Sequence, residues 1–298
     1  MKVNQLIDIV KRTHPYIQIN EVQTNINGWD NDILLLNNNI VFRFPKSKGI
    51  AAKVKDEVAL MNQLQLKNPL VQIPKYECVY LDGVFRGVRY EYLDGESLSD
   101  LEVINTLKPQ NAEIIGDFLT KLHSIDLTKL KDTKIISIHT KEYWEDLYNS
   151  VETLVYPYLK QPQKTEINNL FKNFFSNSIF LTPKKVLIHG DLTIANILFQ
   201  KDKGLVSGII DFTDAQIGDP AFDFAGLYWS FGPDFTNKVL SFYQVKDKES
   251  ILNRVQSFYG LQTIFHNLLY AIKENQYVDW ETALDRFSSL YSIRNKRF

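Results

Sequence analysis

Val186-Leu187-Ile188-His189-Gly190-Asp191-Leu192-Thr193-Ile194-Ala195-Asn196-Ile197-Leu198-Phe199, followed by Gly208-Ile209-Ile210-Asp211-Phe212, decides how this chain is to be read. It begins as an apolar run of strand type, breaks at His189-Gly190-Asp191 and returns to apolar residues at Ile197-Leu198-Phe199. A Lys201-Asp202-Lys203-Gly204 turn then leads to a second strand of buried type that ends in Asp211. The pattern predicts three polar side chains, Asp191, Asn196 and Asp211, delivered at strand ends.

Those three side chains form a coherent chemical set. Phosphoryl transfer needs a carboxylate to orient a hydroxyl and accept its proton, and oxygen ligands for the magnesium on the nucleotide. Asp191 suits the base. Asn196 is neutral, so it can offer an oxygen to Mg2+ beside Asp211 without adding a third negative charge against the phosphates. Alone, Asp191 would be no more than a turn residue capping its neighbours; the set points to a kinase rather than a hydrolase.

His189-Gly190-Asp191 with Asn196 downstream, then Ile210-Asp211-Phe212, resembles the catalytic and metal-binding motifs of the aminoglycoside phosphotransferase family, antibiotic kinases that share the protein-kinase fold. Asp214-Ala215 and Gly218-Asp219-Pro220-Ala221-Phe222-Asp223-Phe224 extend the likeness. Phe42-Arg43-Phe44-Pro45-Lys46 and Tyr277-Val278-Asp279-Trp280-Glu281 resemble its 2''-phosphotransferase branch. The resemblance implies an α+β, bilobal protein-kinase-like fold: a nucleotide-binding lobe over 1–93, with an antiparallel sheet and a helix, and a larger, mostly helical catalytic and acceptor-binding lobe over 94–298. It also implies ATP or GTP as phosphate donor, Asp191 as base, and Mg2+ held by Asn196 and Asp211.

Composition bounds the reading. With 298 residues, 44% hydrophobic and 13% aromatic, the chain can bury a substantial core in one large domain or two lobes. A formal net charge of -1 argues against a general nucleic-acid binder. A single cysteine, Cys78, excludes an internal disulfide framework and a cysteine-rich zinc site, and is expected to be a small buried apolar residue. The amphipathic stretch Met1 to Arg12 is too interrupted by charge for a signal peptide, and no apolar run approaches the length of a bilayer. A cytoplasmic monomer without membrane or nucleic-acid partners is expected.

Along the chain, a first helix should be followed by a strand over 17–23, a polar turn around Gly28, and a hairpin of Ile33–Leu36 and Ile40–Pro45. In the resemblance, Gly28 stands where the nucleotide-covering loop lies, although a lone Gly equally suits a plain turn. Arg43 sits inside an apolar strand, where an unpaired charge is costly. The matching family position carries the cation that reaches the α- and β-phosphates, with Lys46 as second choice. A helix over 51–66 carries Glu57 where the family places the partner of that cation. Strands over 75–81 and 84–93 are joined by Asp82-Gly83, and Tyr90-Glu91-Tyr92-Leu93 resembles the hinge, with Tyr90 behind the base and the backbone of Glu91 and Leu93 on its edge. Helices are expected over 111–124, 143–159, 166–175, 235–245, 248–274 and 282–292, with His123 packed or capping at the end of the first of these.

The acceptor is less sharply written. A polycationic aminoglycoside needs several carboxylates around its hydroxyl. Asp234, Glu274, Asp279, Glu281 and Asp285 are candidates, although each also fits a solvated helix face, and Asp223 is a further candidate. In relatives, Asp219 and Asp223 brace the catalytic loop, which is the preferred role here; a direct metal role for Asp214 or Asp219 is the lesser alternative. A macrolide kinase, or a kinase for a sugar or choline-like metabolite, uses the same motifs, and a ring of carboxylates or an apolar trough would tell them apart. A non-catalytic nucleotide-binding protein is the reading from a different class.

Overall fold

The computed structural model describes residues 2–26, 30–100, 108–177 and 184–295. Alternating apolar residues in β2 (Asn31–Leu36) turn Leu34 and Leu36 to one face, where Phe42 and Phe44 of β3 (Ile40–Pro45) join them. The two strands meet through Asn37 and Asn38, both left-handed (φ 51° and 58°), a conformation asparagine tolerates in tight hairpins. β4 (Glu77–Leu81) and β5 (Val84–Glu91) turn at left-handed Asp82-Gly83 in the same way. With β1 (Val22–Asn25) they make an antiparallel sheet in the order β1-β2-β3-β5-β4. The strand expected over 17–23 is shorter and later, because the backbone amides of Asn20 and Glu21 donate to Asn37 Oδ1 (2.8 and 3.1 Å) instead.

One face of this sheet is closed by α1 (Val3–Thr13) through Leu6, Ile9 and Val10. The other receives α2 (Lys48–Leu66), which starts before the expected position because Ser47 Oγ accepts from Ile50 N (3.2 Å) and caps it. The buried stripe of α2 is Val54, Glu57, Leu60, Met61 and Leu64, so one carboxylate enters the interior with the apolar residues. Cys78, expected buried, is exposed: in β4 the neighbouring Val79 takes the inward position.

The core under α2 continues without a break into a helical region. It comprises α3 (Pro109–His123), α4 (Lys141–Ser150), α5 (Gln161–Ser176), α6 (Ala225–Phe242), α7 (Lys248–Arg254), α8 (Gly260–Lys273) and α9 (Trp280–Asn295). Two small antiparallel sheets carry the loops of interest: β6 (Glu96–Ser97) with β8 (Ile197–Gln200) and β9 (Leu205–Ile209), and β7 (Val186–Ile188) with β10 (Gln216–Gly218). Helix α6 begins at Ala225 rather than 235 and is bent at Gly232-Pro233 (Gly232 φ 76°). Gly260 does not interrupt 248–273: a wide turn over Val255–Tyr259 joins α7 to α8, and a Cβ at Gly260 would lie 2.3 Å from the Tyr228 ring. Among the described residues no helix is long and apolar enough to cross a membrane.

Candidate active site

The loop after β7 is shaped by buried polar contacts. His189 is fully buried; its Nε2 donates to Ile210 O (3.1 Å) and its Nδ1 accepts from Asp191 N (3.3 Å). Gly190 is left-handed (φ 82°), and a Cβ there would meet Asp214 O at 2.1 Å, so only glycine lets the two acidic loops approach. Beneath them, Asp223 Oδ2 accepts from His189 N (2.7 Å) and Oδ1 from Gly190 N (3.0 Å). His123 Nε2 adds a contact to Oδ2 at 3.0 Å, and its Nδ1 meets Tyr243 OH at 2.9 Å. Burial would raise the Asp223 pKa, but the hydrogen bonds and charge of His123 and His189 outweigh it and hold the carboxyl below its ordinary value. Asp223 therefore lies under the loop, 1% exposed, and not in a cavity wall where an acceptor could reach it. His123 is not merely a packed helix end, since it clamps that carboxylate. Asp219 holds Arg254 in a two-pronged pair (2.6 and 3.0 Å) and caps the turn at Ala221 N.

Above this base, Asn196 Nδ2 donates to both the backbone O and the Oδ2 of Asp191 (2.8 Å each), which fixes the carboxylate and leaves the amide oxygen open. Asp211 is left-handed (φ 61°), a state that aspartate tolerates when its side chain bonds locally. Its Oδ1 accepts from Thr213 N (3.3 Å) and Oγ1 (2.6 Å). Burial, with the charges of Asp214 and Asp211, pushes the Asp191 pKa above the usual carboxylate value. Asp214 is raised too, by burial and by Asp211. Among the described residues no cluster of three or more His, Cys, Asp or Glu could hold a metal. An open amide oxygen and a carboxylate, beside carboxylates that crowd one another, nonetheless fit a hard cation completed by phosphate oxygens and water, as Mg2+ requires.

A cavity of about 380 Å³ lies on the sheet side and is lined by Arg43, Tyr76, Tyr90, Asp211, Thr213 and Asp214. Arg43 Nη1 donates to Glu57 Oε1 (3.0 Å) and Tyr76 OH (3.3 Å), and Nη2 lies 2.9 Å from Glu57 Oε2 and 3.1 Å from Thr213 Oγ1. Burial alone would lower the Arg43 pKa; the Glu57 charge more than offsets it, so the guanidinium stays charged. Lys46 points elsewhere, to Ile26 O (2.8 Å) and Asp32 Oδ1 (3.4 Å), and lines a separate outer groove. Gly28 lies outside the described residues.

Tyr90 borders this cavity against Tyr76 (ring centroids 5.2 Å apart), and burial pushes its hydroxyl pKa up to about 12. Tyr92 N donates to Asn39 O (2.8 Å), so alternation turns the amides of Glu91 and Leu93 away from β3. On that side β4 begins at Glu77, opposite Arg89, and the sheet edge is open beyond it. Sequence reading missed Tyr76 and Thr213; only the position of Thr213 directly after Ile210-Asp211-Phe212 hinted at it.

A second cavity, of about 840 Å³, opens over the other side of the catalytic loop and includes Asp191 and, again, Asp214. Among the described residues these are the two carboxylates in its wall. Asp234, Glu274, Asp279, Glu281 and Asp285 are exposed, and none lines it. Asp279 instead caps the start of α9, accepting from Thr282 N (3.1 Å) and Oγ1 (2.7 Å). From α9 it is Arg286 that reaches the wall, donating to Trp229 O (2.9 and 3.2 Å).

A family model described as the phosphotransferase enzyme family matches residues 21–250. The uncharacterized protein YcbJ of Bacillus subtilis (strain 168) is 26% identical over 129 residues, 43% of this chain and 41% of that relative, so the match spans about two fifths of its length. The GDP complex of aminoglycoside 2'-phosphotransferase-IIIa superposes with a TM-score of 0.76 at 22% identity, covering 100% of both chains. The macrolide 2'-phosphotransferase MphH from Brachybacterium faecium does so with 0.67 at 16% identity, covering 96% of this chain and 98% of that one. The two structural likenesses carry the fold, which is that of protein-kinase-like phosphotransferases. The family match spans most of the chain, and this protein belongs to the phosphotransferase enzyme family.

Proposed function

We propose that this protein is a small-molecule kinase that moves the γ-phosphate of ATP or GTP to an alcohol, with Asp191 as base. The observation that carries this reading is that Asp214 borders both cavities, with Asp191 in the wall of one and Asp211 in the wall of the other. Residues 1–93 would supply the nucleotide-binding lobe and 94–298 the catalytic and acceptor-binding one. Arg43, held straight by Glu57 and Tyr76, would take α- and β-phosphate oxygens through its fork. Glu91 and Leu93 would offer backbone groups to the base, with Tyr90 behind it. Mg2+, held by Asn196 and Asp211, would neutralise charge on the phosphates. Asp191 would orient the acceptor hydroxyl and take its proton as the oxygen bonds to the γ-phosphorus and the nucleoside diphosphate leaves. Asn196 keeps that carboxylate aimed.

The resemblance to the 2''-phosphotransferase branch favours an aminoglycoside as acceptor. A macrolide or a sugar-like or choline-like metabolite is the second reading, favoured by the acceptor cavity itself, whose described wall holds two carboxylates rather than a ring of them. Coupled nucleotide consumption across aminoglycosides, macrolides and small alcohols, with product mass, tests the reading. Asp191→Ala should lower turnover by roughly 10²–10⁴-fold while magnesium-nucleotide binding persists. Retained turnover in that variant would remove Asp191 from the base role.

A further inference from the structure

Helix α8 presents Gln262, Thr263, His266 and Asn267 to the larger cavity, positions that share one stripe of a helix. None carries a fixed charge, and burial holds His266 below its ordinary pKa. Across the cavity, His139 is tilted against Phe222 (centroids 4.1 Å apart) and Tyr143 (4.9 Å), and burial, helped by His266, pushes its pKa down to about 4. Both imidazoles are therefore neutral at physiological pH. The charges left in the described wall are Asp191, Asp214 and the Arg286 guanidinium, which opposes them.

Two glutamines in this wall differ in an informative way. Gln216 Oε1 is saturated by Ile138 N (3.0 Å) and His139 N (3.1 Å), so it is part of the scaffold. Gln262 is 1% exposed, and its amide oxygen is fully enclosed with no hydrogen-bond partner among the described residues. A buried amide oxygen without a partner is costly, and Gln262 lines the cavity from which a ligand could supply one. A ligand that supplies the missing bond gains more than one that only fills space, and an analogue lacking that group is rejected strongly.

We infer that the acceptor is a hydroxyl-rich glycoside or polyol carrying at most one positive charge, and that Gln262, with His266 and Asn267 beside it, is the residue that reads its hydroxyl pattern. This rests on the kinase reading above and goes further by assigning the charge class of the substrate and a specificity determinant. In the described wall a polycation would meet Arg286 and two carboxylates, whereas a neutral polyol meets amide, imidazole and aromatic surfaces that pair with hydroxyls and sugar faces.

The test uses the full chain with magnesium and nucleotide, and as acceptor probes lactose, sucrose and uridine (uncharged), erythromycin (one amine) and kanamycin (several amines). At least one low-charge probe should exceed kanamycin in kcat/KM by about tenfold, and its KM should change by less than about twofold between low and moderate salt, because neutral bonds are not screened. Gln262→Leu should raise the KM of that probe by roughly tenfold. Gln262→Glu, which keeps an oxygen acceptor and adds a charge, should shift preference toward kanamycin; thermal melts check that both variants fold. Kanamycin as the best acceptor with steep salt dependence overturns the inference, as does an unchanged KM in Gln262→Leu. If magnesium-nucleotide binds but no low-charge probe does, the acceptor inference falls and the kinase reading stands. Failure to bind magnesium-nucleotide brings down both.

Discussion

On the sheet side of Asp214 the charged side chains are held by other side chains: Arg43 by Glu57 and Tyr76, and Arg43 and Asp211 alike by Thr213. On the α8 side, the helix offers imidazole, amide and hydroxyl groups, and the Gln262 amide oxygen has no hydrogen-bond partner among the described residues. The first arrangement suits a partner that is always the same. A triphosphate brings fixed charge, so a rigid, paired set of charges can be built in advance without reorganising at each turnover. The second suits a ligand chosen by shape and hydrogen bonds, because a loose amide becomes satisfied only when the right donor or acceptor arrives. Asp214 stands between them, and its charge acts on Asp191.

The comparison can be broken first at Glu57. Glu57→Ala would leave the Arg43 guanidinium buried without a counter-ion, and a chemical-denaturation curve should show a loss of about 3–5 kcal/mol. Magnesium-nucleotide affinity should fall with it. An unchanged midpoint would mean that the pair is not the prearranged element described here.

A smaller effect is expected at Thr213, where Thr213→Val removes the hydroxyl that joins Arg43 to Asp211. Nucleotide affinity measured at saturating magnesium should weaken roughly fivefold, about 1 kcal/mol, while the fold is retained. Equal affinity would separate Arg43, the proposed phosphate cation, from Asp211, the proposed metal ligand, and leave the sheet-side cavity less tightly built than the contacts imply.

The least effect should come from the shared residue. Burial and then the charge of Asp214 raise the Asp191 pKa, so as the proposed base it would be protonated and inactive at pH values where an ordinary carboxylate would be ionised. Activity should therefore rise with pH through that raised value. Asp214→Asn removes one like charge, lowers the Asp191 pKa and should move the acid limb of kcat/KM to lower pH, by less than about one unit. A limb that moves up, or stays fixed, would show that the two sides are electrostatically separate.

Legibility in the sequence follows the same divide. Arg43 could be paired with Glu57 because the family resemblance places the partner of the strand cation on that helix, and the structure brings them within 2.9 Å. Asp191 and Asn196 are close in sequence, and their contact needs only a tight loop. The helices were mostly legible from their apolar stripes, although α6 begins at Ala225 rather than 235. The acidic residues of the C-terminal helices were over-read. Charge in an aromatic segment attracts attention, but which face of α9 turns inward depends on its packing, and there it is Arg286 rather than Asp279 or Glu281 that reaches the cavity.

The sequence by itself determined the chemistry that local spacing can encode: a loop with a carboxylate and an amide, a second acidic loop, a cation in a strand and a carboxylate on a helix. Those depend on short-range geometry, which the backbone fixes within a few residues. Only the tertiary structure decided that His123 and Asp223 would meet under the loop, that Tyr76 and Thr213 would complete the Arg43 cluster, and that α8 would turn a neutral stripe toward Asp191. Those contacts join residues far apart in the chain, and their partners are selected by how helices and sheets pack, which no local pattern records.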